Sequence, residues 1–129
     1  MQTLQKKERL YEKNIILNLF NKGKSFYINS FKILYLNTEF DGFYPVKVLF
    51  AVSSRNFKKA VHRNHIKRLM KESFRKNKHL LYDSLANSDK KLVFMILYNE
   101  KKLISYEEIE NKIILILHRL VKENEKISK

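Results

Sequence analysis

The chain has 129 residues, of which 44% are hydrophobic and 12% aromatic, so it is large enough to bury a core and is not compositionally disordered. It contains no cysteine, which excludes disulfides, thiolate metal sites and a cysteine nucleophile. No apolar run approaches the roughly 20 residues needed to cross a bilayer, and residues 1–9 lack the apolar core of a signal peptide. We therefore expect one domain over residues 1–129, with a polar tail from about residue 122, in a cytoplasmic protein.

The net charge of +14 is concentrated in one segment. Residues 55–79 contain ten basic side chains and a single acidic one, whereas residues 25–54 are neutral overall and residues 80–129 carry +1. Because such an excess repels itself in the folded state, it indicates a polyanionic partner. Its concentration in one segment favours a binding face over a general solubility function.

A first helix is expected ahead of Gly23, which suits the position after a helix C-terminus. Its beginning is open between about residue 7 and about residue 14, because Asn14 is itself a good N-cap. Ile16 and Phe20 lie four residues apart and therefore share one face of this helix.

Strands are expected next, at residues 31–37 and 45–53, which are rich in aromatic and β-branched residues. The Asp-Gly dipeptide at residues 41–42 is a good turn sequence, so an antiparallel hairpin between these two strands is predicted. A short strand near residues 25–28 would extend the same sheet.

Residues 59–77 show the period of an amphipathic helix with two distinct faces. The apolar stripe consists of Ile66, Leu69, Met70, Ser73 and Phe74. The opposite side carries Asn64, Lys67, Arg68, Lys71 and Arg75, with Arg63 at the border. The helix is therefore expected to pack by one face and to present cations on the other.

The last third of the chain predicts a strand and a helix. Residues 91–98 form a continuous apolar run, typical of a buried central strand. Ser105 and Glu108 form a capping box just ahead of an amphipathic helix. The stripe of that helix consists of Ile109, Ile113, Ile116, Leu117 and Leu120. The resulting fold class is α+β, with helices packed on a single small sheet.

The basic helix is the strongest candidate for a functional site. Arginine binds phosphate oxygens bidentately, lysine adds charge, and asparagine can contact a base edge or a sugar hydroxyl. A merely solvated face normally mixes acids with bases at three- and four-residue spacing, which residues 59–71 do not. Aromatic side chains can stack on single-stranded bases, although burial in the core is the simpler interpretation for each. They include Phe20, Phe26, Tyr27, Tyr35, Phe43, Tyr44 and Phe57.

Metal and catalytic sites are not indicated. His62 and His65 lie three residues apart among cations that oppose metal binding, and the sequence offers no third metal ligand beside them. We find no paired carboxylates, no Ser/His/Asp arrangement and no glycine-rich phosphate loop. Neither a catalytic residue nor a metal ligand is therefore assigned to the protein.

The pattern Ser53-x-x-x-Phe57-Lys58-Lys59-Ala60-Val61-x-Arg63-Asn64-x-x-Lys67-Arg68-x-x-Lys71-Glu72-x-Phe74-Arg75 resembles the signature of the protein subunit of bacterial ribonuclease P. Residues 7–10, 19–25 and 103–108 are also similar to family segments, in the same order. The resemblance implies the element order αβββαβα, a variant of the ribosomal protein S5 domain 2-like and ferredoxin-like folds. It also implies a left-handed β-α-β crossover around the basic helix, which is an exception to the usual rule.

The resemblance further implies a function in which the RNA subunit, with bound Mg²⁺, cleaves the 5′ leader from precursor tRNA. The protein would be the non-catalytic subunit of this endoribonuclease. We expect it to bind no membrane and to need no obligate protein partner. Its RNA-binding residues would be Arg55, Lys58, Lys59, Arg63, Asn64, His65, Lys67, Arg68, Lys71 and Arg75. The leader would lie in a cleft between the first helix and the sheet, lined by Ile16, Phe20, Lys24, Ser25, Leu34 and Tyr35.

The sequence departs from the family pattern at four positions. His65 and Lys71 stand where arginine is common, which weakens bidentate recognition, and Ile16 and Leu34 stand where an aromatic residue is common. One alternative function is that of a ribosomal or other structural RNA-binding protein. A helix-turn-helix DNA binder is disfavoured by the flanking strands, and a protein nuclease by the missing acid–base groups.

Overall fold

A computed structural model describes residues 6–42, 44–86 and 90–127. Within these residues, a short 3₁₀ turn, Lys6–Glu8, is followed by four helices and four strands. In chain order these are α1 (Lys13–Lys22), β1 (Lys24–Ile28), β2 (Phe31–Asn37), β3 (Val46–Val52), α2 (Ala60–Asn77), α3 (His79–Leu85), β4 (Leu92–Tyr98) and α4 (Tyr106–Ile127). The α+β class is confirmed.

The four strands form one sheet in the order β1-β2-β4-β3. The last strand, β4, is antiparallel to β2 and parallel to β3, so the predicted hairpin between β2 and β3 is wrong. Six of the seven residues of β4 are buried, and a strand that is apolar on both faces gains most by lying between two others. Gly42 does adopt a positive φ, of 128°, but a turn dipeptide is a local signal and does not determine which strand pairs with which.

The hairpin of this sheet joins β1 to β2 instead. The register runs from Lys24 opposite Tyr35 to Ile28 opposite Phe31, leaving a two-residue turn at residues 29–30. Asn29 has φ 50°, a left-handed conformation that asparagine tolerates better than most residues. The predicted short strand is therefore confirmed, with bounds of Lys24–Ile28.

The parallel pair β3 and β4 requires a crossover connection, which α2 and α3 provide. Its left-handed sense stays a prediction. The two-turn helix α3 was not predicted, because seven residues are too few to show a clear helical period. It nevertheless buries Leu81 and Leu85 against the same core as α2 and α4.

One side of the sheet forms the main core with α2, α3 and α4. The predicted stripes lie in this core: Ile66, Met70, Ser73 and Phe74 of α2 are buried and Leu69 is half-buried against them, and Ile109, Ile113, Ile116, Leu117 and Leu120 of α4 are buried. The capping box is confirmed by the bond from the Glu108 backbone N–H to Ser105 Oγ, at 3.2 Å. Helix α4 also continues to Ile127, into the predicted polar tail, where Tyr35 donates to Glu123 Oε2 (3.1 Å) and Asn37 to Asn124 Oδ1 (3.0 Å).

The other side of the sheet, which we call the α1 face, carries a smaller core. Helix α1 packs on it through the fully buried Leu19, against Leu34, Val93 and Met95. The helix has Glu12 rather than Asn14 at its N-cap position and ends at Gly23, as predicted. A Cβ at Gly23 would lie 2.3 Å from the Leu19 carbonyl oxygen, so close backbone approach requires glycine here.

Candidate nucleic-acid interface

Helix α2 separates its packing side from its basic side as the sequence predicts. Its stripe lies in the main core, whereas Asn64, His65 and Arg68 are exposed. Lys67 and Lys71 are half-buried on one flank of the exposed side. The cationic groups are thus carried on a helix whose position is set by its buried face.

Arg63, at the border of the two sides, supports the beginning of α2. Its Nη1 donates to the carbonyl oxygens of Phe57 (2.7 Å) and Lys58 (2.8 Å), which precede the helix. This nitrogen is therefore engaged within the protein, and the side chain holds the β3–α2 connection in place. Arg55, Lys58 and Lys59, also predicted to bind RNA, are exposed in the same connection.

Some cationic side chains of α2 form an ion pair with an acidic side chain of the protein, and others do not. Arg75 contacts Glu72 through Nε (3.0 Å) and Nη2 (2.5 Å), and these hydrogen bonds lower the pKa of Glu72. Over residues 6–42, 44–86 and 90–127, no acidic side chain forms an ion pair with Lys67, Arg68 or Lys71. We call these three residues the cationic ridge. An external anion can neutralise them.

A pocket of about 420 Å³ lies between α2 and the N-terminal segment, at the edge of β3. Four of its lining residues are basic: Lys6, Arg9, Lys67 and Lys71. Burial lowers the pKa of Lys71, and the positive charges of Arg9 and Lys67 lower it further. This flank of the ridge therefore concentrates like charges that repel one another in the isolated protein.

A second pocket, of about 650 Å³, lies on the other flank of α2. We call it the α2 pocket; it is lined by Val61, His62, Asn64, His65, Arg68 and Leu103. The guanidinium of Arg68 lies 3.3 Å from Nδ1 of His65. His62 and His65 thus border a cavity, and over the described residues no group of three or more His, Cys, Asp or Glu side chains could hold a metal ion.

The N-terminal segment is fixed by contacts that sequence reasoning missed. Glu8 is 0% exposed, and its carboxylate accepts hydrogen bonds from Lys78 Nζ at 3.0 and 3.1 Å and from the Tyr82 hydroxyl. Burial and the Glu8 carboxylate together raise the pKa of Tyr82. Further along, the Leu10 N–H donates to the Val48 carbonyl at 2.9 Å. Nothing in the sequence pattern indicates a buried role for Glu8, since it stands among exposed lysines.

A second ion pair continues this attachment. Lys47, on the α1 face of β3, pairs with Glu12 at the beginning of α1. Burial by itself would raise the pKa of Glu12, but hydrogen bonds from Lys47 and the Tyr11 backbone N–H contribute to a net lowering. The segment that leads into α1 is therefore held at both ends.

The predicted leader cleft is only partly assembled on the α1 face. Phe20 is 54% exposed and Ser25 is exposed, Ile16 is half-buried, and Leu34 is buried beneath α1. Lys24 is exposed at the beginning of β1.

Tyr35 does not lie on this face: its ring is buried in the main core and its hydroxyl bonds to α4, so its assignment to the cleft is wrong. Successive residues of a strand point to opposite faces, and Leu34 already faces α1.

The exposed ring on this part of the sheet belongs to Tyr27. It is 61% exposed, and Lys32 Nζ lies 5.8 Å from its ring centroid. Of the other aromatic candidates, Phe26 and Phe57 are buried and Tyr44 is half-buried. Phe43 lies outside the described residues.

The family model of ribonuclease P matches residues 4–121. The chain belongs to the ribonuclease P protein family. The ribonuclease P protein component of Porphyromonas gingivalis is 37% identical over 100 residues, covering 75% of this chain and 72% of that protein. That of Chlorobium phaeobacteroides is 30% identical over 128 residues, covering 92% and 88%.

Solved structures of the family share the fold. The ribonuclease P protein of Thermotoga maritima aligns with a TM-score of 0.68 at 24% identity, over 87% of this chain and 96% of that one. The Staphylococcus aureus protein aligns with a TM-score of 0.64 at 22% identity, over 88% and 94%. Family membership places the chain in the ribonuclease P ribonucleoprotein and in tRNA processing, and it implies association with the RNA of that particle.

Proposed function

We propose that this protein is the non-catalytic subunit of ribonuclease P and that it docks on the catalytic RNA through α2. The observation that supports this most strongly is the cationic ridge of Lys67, Arg68 and Lys71, which no acidic side chain among the described residues neutralises. Phosphate oxygens of RNA supply the missing charge, and each contact releases counterions from the RNA. The ridge therefore provides affinity, and it reduces repulsion between the phosphates of catalytic RNA and substrate.

A second binding surface is proposed on the opposite side of the sheet, for the 5′ leader of precursor tRNA. Here Phe20 and Tyr27 expose aromatic rings, and a single-stranded base can stack on such a ring. Because α2 and the α1 face lie on different sides of β2 and β4, one protein molecule can contact two RNA segments at once. Tyr27 takes the place in the cleft that the family resemblance implied for Tyr35.

The chemistry of leader removal is proposed to reside in the RNA and its bound Mg²⁺. The described residues offer no cluster of ligand side chains to a metal ion, and the like charges around α2 repel a divalent cation. The protein would raise activity by strengthening the assembled complex. Within the described residues no helix is long and apolar enough to span a membrane. The cytoplasmic location, the single-domain organisation and the lack of an obligate protein partner stay predictions.

One reconstitution tests this function. Cleavage of precursor tRNA by bacterial ribonuclease P RNA is measured at low Mg²⁺, with and without the protein, and with the protein alone. We expect stimulation by the protein and no cleavage without the RNA. A structural RNA-binding protein would bind the RNA without stimulating cleavage, and a protein nuclease would cleave alone; either result contradicts the proposal.

A further inference from the structure

The α2 pocket has a property that the cationic ridge does not explain, namely exposed apolar walls. Val61 is 66% exposed in the first turn of α2, and Leu103 is 57% exposed in the β4–α4 connection. Both line the same cavity of about 650 Å³, which is within the range of about 300–1,000 Å³ typical of small-ligand sites. Contact with phosphates alone does not account for two exposed aliphatic side chains that line one cavity.

The position of Leu103 is built into the fold. On one side, the Tyr98 hydroxyl donates to the Lys102 carbonyl oxygen at 2.9 Å. On the other, Ile104 packs against the main core and Ser105 caps α4. Because its neighbours are anchored, the connection keeps the Leu103 side chain exposed to solvent. Across the pocket lies α2, whose beginning is fixed by Arg63.

The remaining lining residues carry groups that suit a nucleotide. Asn64 has an amide that can both donate and accept at a base edge. His62 and His65 have planar rings on which a base can stack, and the Arg68 guanidinium, beside His65, can bind a phosphate bidentately. Apolar walls, planar side chains and a cation therefore converge on one cavity.

We propose that the α2 pocket receives one unstacked nucleotide of the RNA subunit of ribonuclease P. This inference rests on the proposed function and identifies the occupant of one part of the docking surface. Arg68 belongs both to the cationic ridge and to the lining of the pocket, and its positive charge favours RNA over an apolar protein segment. The pocket also lies on the α2 side of the sheet, away from the α1 face proposed for the leader, so the nucleotide comes from the RNA subunit.

The first test separates apolar contact from charge. Affinity for the RNA subunit is measured at several salt concentrations for Leu103→Ala, Val61→Ala and the control Leu115→Ala, which truncates an exposed leucine of α4. We expect each pocket variant to bind about threefold to tenfold more weakly, with an unchanged salt slope because no charge is removed. The control should bind as the unaltered protein does. Thermal unfolding should be unchanged in all three, since the side chains are exposed.

The second test identifies the occupant. Because the chain has no cysteine, Leu103→Cys creates a unique thiol that can carry an aryl azide, and Leu115→Cys serves as the matched control. With the RNA subunit and precursor tRNA both present, we expect light-induced cross-linking from position 103 to an unpaired nucleotide of the RNA subunit. Cross-links only to paired nucleotides, only to the precursor tRNA (leader or body), or none at all, would overturn the proposal.

The proposed function and the nucleotide site in the α2 pocket are refuted by different results. If the unaltered protein binds the RNA and stimulates cleavage while both alanine variants retain full affinity, the pocket is refuted and the proposed function stands. If the unaltered protein does not bind the RNA, both are refuted.

Discussion

Replacing Glu8 with glutamine removes the negative charge from the buried ion pair that attaches the N-terminal segment. Glu8 is 0% exposed and Lys78 7% exposed, and Lys78 Nζ lies within 3.1 Å of both carboxylate oxygens. The substitution keeps the shape of the side chain but removes the carboxylate charge that faces the buried ammonium of Lys78. Breaking a buried pair in this way costs about 3–5 kcal/mol of the free energy of unfolding.

For a chain of 129 residues this is a large fraction of the total stability, which is about 5–15 kcal/mol for most domains. At roughly 3–5 °C per kcal/mol, the Tm should fall by roughly 10–25 °C. Urea unfolding followed by circular dichroism gives the free energy, and Glu107→Gln, at an exposed position in the first turn of α4, is the matched control. The double variant Glu8→Gln, Lys78→Met should recover part of the loss, because it also removes the buried positive charge that the Glu8 carboxylate balances. A loss below about 0.5 kcal/mol for Glu8→Gln would refute the reasoning.

Three other predictions concern local contacts. Arg63→Ala should lower the free energy of unfolding by about 1–2 kcal/mol, because two carbonyl oxygens lose their donor. If urea unfolding gives the same free energy for this variant as for the unaltered protein, the prediction is contradicted. The lowered pKa of Glu12 means that its pair with Lys47 stabilises the fold above about pH 4.5 and loses that contribution as the pH falls further, so the stability difference between Glu12→Gln and the unaltered protein should shrink in acid. Phe20→Ala should weaken binding of precursor tRNA with a leader by roughly fivefold or more in the holoenzyme, while mature tRNA binding is unchanged; an equal effect on both would place the ring outside the leader site.

The long amphipathic helices were predictable because their periods extend over many residues. In α2 the stripe from Ile66 to Phe74 separates core from cations, and in α4 the stripe follows a capping box that the structure confirms. The concentration of charge in residues 55–79 likewise pointed to α2 as the binding element, since a net charge can be counted without knowing the fold.

Strand pairing and individual contacts were harder to predict, for physical reasons. The Asp-Gly turn favoured a β2–β3 hairpin, but burial of β4 on both faces places that strand between them. The assignment of both Leu34 and Tyr35 to one cleft overlooked the alternation of a strand, which sends neighbouring side chains to opposite faces. The burial of Glu8 depends on Lys78 and Tyr82, which are 70 and 74 residues away along the chain and meet it only in the folded protein.

The salt dependence of RNA binding by Arg68→Ala tests directly whether α2 docks on the RNA. If the cationic ridge docks on the RNA, removing one phosphate contact should make the slope of log affinity against log salt shallower by roughly 0.7–0.9. Between 50 and 200 mM salt the variant should then lose roughly threefold less affinity than the unaltered protein, with unchanged stability. Lys122→Ala, an exposed charge on α4, is the matched control and should leave the slope unaltered. An Arg68→Ala slope equal to that of the unaltered protein would show that α2 does not face the RNA.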